Sequence, residues 1–145
     1  LARSRAIARS TNTAIRFRKH GNSWHYAIYE DGDRDGVRND DIAAGRDPVV
    51  TGYRKLLQGA GGAEVGLPDI PLTDPDTRQR IARGASPVQF NRSQLCSFSP
   101  IGGGTAGSIY LTDGHDLAFV VRVYGATGKI RTLSYNRGSS RWESR

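Results

Sequence analysis

Gly104-Thr-Ala-Gly-Ser-Ile-Tyr-Leu111, Leu117-Ala-Phe-Val-Val-Arg-Val-Tyr124 and Lys129-Ile-Arg-Thr-Leu-Ser-Tyr135 mark the domain as sheet-rich. Runs rich in β-branched and aromatic residues, bounded by turn residues, read as strands. Asp113-Gly114 separates the first two, and Gly125-Ala-Thr-Gly128 separates the second and third. Connections this short join antiparallel neighbours. Alternate residues of a strand share a face, which puts Lys129 and Arg131 on the same side of the last strand.

At the other end of the chain, residues 1–12 read as a helix, because alanine and arginine dominate and neither glycine nor proline interrupts. Leu1, Ile7 and the alanines Ala6 and Ala8 supply a modest apolar stripe, and Arg3, Arg5 and Arg9 fill the rest. Thr13 to Arg18 alternates around Ile15 and Phe17, and Trp24 to Tyr29 alternates around Trp24, Tyr26 and Ile28. The two form a hairpin through Lys19–Ser23. Pro48 to Leu57 is a third strand, Val88–Phe90 and Leu95–Phe98 are short ones, and Trp142 is expected to anchor the chain end on a sheet edge. Residues 58–87, with four prolines, read as an irregular insertion over the surface, with a helical turn at Asp76–Arg83. The whole chain, 1–145, is one α+β domain with its N-terminal helix packed on antiparallel β-sheets.

The net charge of +7 makes a polyanionic partner plausible. Residues 1–20 hold six cations (Arg3, Arg5, Arg9, Arg16, Arg18, Lys19) and no acid, and residues 117–145 hold six more against Glu143 alone. Lys129, Arg131, Arg137 and Arg141 are the candidate phosphate-binding residues, through contacts that carry no base information. The alternative is that the C-terminal cations are merely solvated and that the helix arginines face neighbouring molecules or a phospholipid surface. Asp31, Asp33 and Asp35 occupy the first, third and fifth positions of a Ca²⁺-type loop, with Gly36 at the sixth and Asn39 at the ninth. The twelfth position is Ile42, so Asp41 or Asp40 would replace the usual glutamate. The alternative is an Asp- and Gly-rich turn. Cys96 is the single cysteine, which leaves no internal disulfide, and it reads as a buried thiol. His20, His25 and His115 lack a serine or carboxylate partner pattern, and Gly102-Gly-Gly104 precedes a strand rather than a helix, so nothing points to an enzyme.

The order of these elements resembles the soluble domain of the GspH/FimT family of pseudopilins and minor type IV pilins. The motifs that carry the resemblance are the opening Leu1-Ala-Arg-Ser-Arg-Ala-Ile-Ala-Arg-Ser10 helix, Gly107-Ser-Ile-Tyr110 and Gly128-Lys-Ile-Arg131. Residues 58–87 lie outside it. It implies a pilin-like fold in which residues 1–12 are the C-terminal part of a longer helix. It further implies an upstream hydrophobic segment cleaved by a prepilin peptidase, an inner-membrane anchor through that segment, and a periplasm-facing domain that reaches the cell surface in a filament. A chain that begins at Leu1 rather than methionine fits an excised segment. The implied partners are other pilin or pseudopilin subunits and, in pilus-side members, DNA held at a basic Gly-Arg-x-Arg motif. Here that motif reads Gly128-Lys129-Ile130-Arg131, which keeps the charge but loses one bidentate fork.

Overall fold

The computed structural model describes residues 1–57 and 61–145. The first helix, α1 (Ala2–Arg9), is shorter than the expected 1–12. Ser10 takes a left-handed conformation and turns its N–H back to the last carbonyls, which stops the helix. Ala2 and Ala6, four residues apart, are buried, while Leu1, Ile7 and Ala8 face outward. The apolar stripe therefore runs along the small residues, correcting the expectation from the sequence. With only methyl groups between them, helix and sheet approach closely.

The hairpin is β1 (Thr13–His20) and β2 (Ser23–Glu30), in register from Thr13 opposite Glu30 to His20 opposite Ser23. Into the turn β1 reaches two residues further than expected and β2 one, because Gly21, at φ 62°, closes it tightly. A second helix, α2 (Asn39–Ala44), lies within the acidic loop where none was expected, and β3 (Val49–Lys55) then pairs with β2. Residues 58–60, at the start of the stretch expected to be irregular, lie outside the described residues. Beyond them come β4 (Glu64–Val65), β5 (Val88–Gln89), β6 (Leu95–Phe98), β7 (Gly107–Thr112), β8 (Ala118–Tyr124), β9 (Lys129–Asn136) and β10 (Arg141–Ser144). No helical turn forms at 76–83. The Asp74 carboxylate instead accepts the N–H groups of Asp76 and Thr77, and Thr73 bridges to Arg80.

All pairings are antiparallel. One sheet has the order β3-β2-β1-β6; the other runs β10-β9-β8-β7-β4, with β5 also on β7. The main core lies between α1, the inner face of the first sheet and one end of the second. It contains Ala2, Ala6, Phe17, Ile28, Val88, Phe90, Cys96, Phe98 and Val123. Phe17 and Phe90 stack at 5.2 Å, nearly parallel. A Cβ on Gly107 would collide with the Phe90 ring and the Gln89 carbonyl, so only glycine lets β7 pass here. Burial pushes the Cys96 thiol up to about 12, which makes it the inert thiol the sequence suggested.

The excursion is clamped rather than loose. Arg122 reaches from β8 to Asp76 at 2.6 Å and to the Ser108 hydroxyl, and Leu72 is buried. Trp142 donates its indole N–H to the Thr73 carbonyl at 2.7 Å and packs against Tyr110 and Tyr135. Trp142 thus anchors as expected, but from within a tenth strand rather than a closing loop. Among the described residues no helix is long and apolar enough to cross a membrane.

Candidate functional site: two charged surfaces

The cations of α1 are largely paired. Arg5 and Arg9 both donate to the Glu30 carboxylate, at 2.8 and 3.1 Å, fastening the helix to the end of β2. The Arg5 hydrogen bond, joined by that from Arg9, holds Glu30 below the usual carboxylate range against the opposing effect of burial. Arg3 donates to the Thr127 carbonyl, so the helix start sits beside the β8–β9 turn.

Lys129 and Arg131 project from the same face of β9, both exposed, and neither is in an ion pair among the described residues. Arg131 lies opposite Arg122, whose charge is taken by Asp76. The other two candidates do not join them. Arg137, in the β9–β10 turn, pairs with Asp116 at 2.9 Å. Arg141 pairs in register with Asn136, which alternation puts on the opposite face from Lys129 and Arg131. The four cations are therefore one pair with free charge, one neutralised residue and one residue turned away.

The acidic loop gathers its carboxylates in two overlapping groups, Asp31 with Asp33 and Asp35, and Asp33 with Asp41 and Asp47. Within each group one oxygen per residue lies within 4.8 Å of the others. Asp31 is buried, and its oxygens accept the N–H groups of Asp33, Arg34 and Gly36 and the Asn12 amide. Burial raises its pKa, and these hydrogen bonds outweigh that and bring it below the ordinary aspartate value. The Asp33 carboxyl is pushed up to about 6, mainly by sharing a hydrogen bond with Asp35, then by desolvation and the Asp35 charge. Asp41 takes Arg46 at 2.7 Å, and Arg46 also stands 3.8 Å from Asp33. Asn39 is not drawn in: as the first residue of α2, it donates its amide to the Ser93 carbonyl. The sequence reading missed Asp47, which is buried and accepts the N–H groups of Gly32 and Arg38. Its only signal was the sixteen-residue spacing from Asp31, which becomes proximity once α2 turns the chain back.

Comparison of the chain with protein-family models, with curated proteins and with solved structures finds no match.

Proposed function

We propose that this chain is a minor pilin or pseudopilin subunit, a structural component of a type IV pilus or type II secretion filament placed near its tip. The observation that carries this reading is the orientation of α1. The helix gives its own core two alanines and turns Leu1, 91% exposed, and Ile7, 49% exposed, to the outside. A helix serving only its own domain would bury its larger apolar side chains. Outward ones suit packing against helices of neighbouring subunits. The Arg5–Glu30–Arg9 cluster holds the helix on the sheets while that face stays available. The proposal places the domain on the periplasmic side, anchored in the inner membrane through a preceding helix. The coding region upstream of Leu1 tests it: a prepilin-type leader followed by about 20 apolar residues is expected, and a coding region without them overturns it.

A second reading, DNA binding in uptake, is favoured by the free charge of Lys129 and Arg131 on one face of β9. Replacing both with alanine is expected to weaken binding about equally for every sequence, and each lost phosphate contact should lower the salt slope by about one unit. Lys129→Arg should hold or strengthen binding through the guanidinium fork. Anisotropy titrations at two salt concentrations check this, and no binding by the unaltered domain at low salt overturns it. The 31–41 loop is proposed in addition to take Ca²⁺ through Asp31, Asp33 and Asp35, one of the two groups whose oxygens converge.

A further inference from the structure

The four-stranded sheet carries a second basic surface, distinct from the β9 pair. Alternation places Ile15 and Phe17 of β1 and Trp24, Tyr26 and Ile28 of β2 on the inner face, where all five join the main core. Arg16, Arg18 and His20 of β1 and His25 of β2 therefore lie on the outer face. Register extends this across three strands, with Arg18 opposite His25 and His25 opposite Lys55. Neighbouring strands lie about 4.8 Å apart, so the row from Arg18 to Lys55 spans roughly 10 Å. Arg16 lies one pleat along from Arg18, against Tyr29, which also meets Tyr53, 40% exposed.

The acids of this half of the molecule are elsewhere. Glu30 is the single acid in β1, β2, β3 and β6, and it sits on the inner face with Arg5 and Arg9. One half of the outer face is covered by the acidic loop and α2, whose Val37 and Ile42 pack on Ala14, Ala27, Tyr29 and Leu95. There Asp33 and Asp41 face Arg46, and Asp35 faces Arg38. The other half is open, and among the described residues Arg16, Arg18 and Lys55 enter no ion pair.

We infer that the open half of this sheet face binds the phosphate backbone of a single-stranded nucleic acid, with Arg18 and Lys55 as the main phosphate contacts and Arg16 beside them. Charge complementarity favours the partner: three cations in no ion pair among the described residues, on strands whose outward face carries no acid of its own, attract a polyanion. The form of the surface favours a single strand. The His20 and His25 rings lie edge to face at 6.0 Å, and the exposed Tyr53 ring offers a surface for bases to stack on. A bilayer fits less well, because a membrane-binding surface pairs cations with protruding apolar side chains. Among the described residues Leu1, Ile7, Ile101, Leu117 and Ile130 protrude from other elements, Val49 lies at the far end of β3 from Lys55, and Tyr53 is the one large apolar side chain exposed beside these cations.

The test is an anisotropy titration of the protein against a labelled thymidine oligonucleotide of about 16 nucleotides, at several salt concentrations, beside a sedimentation assay with vesicles containing anionic lipid. Arg18→Ala/Lys55→Ala is expected to lower the salt slope by about 1.4, since each phosphate contact on a single strand contributes about 0.7. Arg18→Lys/Lys55→Arg keeps both charges and should retain the slope. Binding unchanged in the alanine variant overturns the proposal, as does binding to vesicles without binding to the oligonucleotide. Lys129→Ala/Arg131→Ala in the same assay separates the two surfaces. A loss only there leaves the β9 reading standing and removes this one; a loss only in Arg18→Ala/Lys55→Ala does the reverse.

Discussion

Phe90→Ala is expected to lower the free energy of unfolding by about 3–5 kcal/mol, the range for deleting a buried phenyl ring. Phe90 is fully buried in the chain between β5 and β6, and it is the piece on which both sheets and the helix close. It stacks on Phe17 of the first sheet, and its ring fills the space that the missing side chain of Gly107 leaves on the second. Truncation opens a cavity lined by side chains of three layers, and a site so enclosed collapses poorly. A small domain has only about 5–15 kcal/mol of total stability, so the variant should be marginally folded. Urea or thermal unfolding monitored by circular dichroism measures the loss. A change below about 1 kcal/mol, the average for any substitution, would show that the layers do not meet at this ring.

Much of the architecture was legible because the patterns that announce it are local. The β7–β8–β9 series is rich in β-branched and aromatic residues and is punctuated by Asp113-Gly114 and Gly125–Gly128, so its pairing required no tertiary knowledge. Strand β6 was placed to the residue for the same reason. What failed was short or conditional. Helix α2 has six residues, below the length at which periodicity speaks, and its opening Asn-Asp-Asp carries the same oxygen donors as a cation loop. Strand β4 has two residues and exists because β7 offers it an edge. At the sites, Lys129 and Arg131 share a face by alternation alone. The capture of Arg137 by Asp116 depends on two separate turns meeting, and the row Arg18–His25–Lys55 depends on the irregular β2–β3 register. Glu30 gave no sign of its role, since a strand's last residue becomes the anchor of a helix only when the helix folds back.

Millimolar Ca²⁺ is expected to raise the melting temperature of the unaltered protein. A site filled at about one hundred times its dissociation constant adds about 2.7 kcal/mol, equivalent to roughly 5–10 °C for a chain of this length. The reason is the strain among like charges: Asp33 and Asp35 are close enough that the Asp33 carboxyl holds its proton up to about 6. A divalent ion offsets that repulsion, while Arg46, more than half exposed, swings aside. Asp35→Asn separates the effects. It removes one repelling charge, so the variant without Ca²⁺ should melt no lower than the parent, and it removes a ligand, so its gain with Ca²⁺ should largely vanish. Calorimetry with Ca²⁺ and with chelator decides, and identical melting temperatures for the unaltered protein leave the loop as a turn built around Arg46.

The placement of β1 in the interior of its sheet bears on the order in which the chain is made. One side of β1 is occupied by β2, the next segment to emerge, but the other is reserved for β6, with Thr13 opposite Phe98 and Arg16 opposite Leu95. A growing chain therefore holds a finished three-stranded ribbon whose β1 edge stays open until Phe98 has been synthesised. Over that interval Phe17 also lacks Phe90, its stacking partner, and Ile15 lacks Cys96, its neighbour in register. Unpaired edges recruit strands from other chains, so pausing or cleavage anywhere in the long excursion leaves an intermediate prone to pair with its own copies.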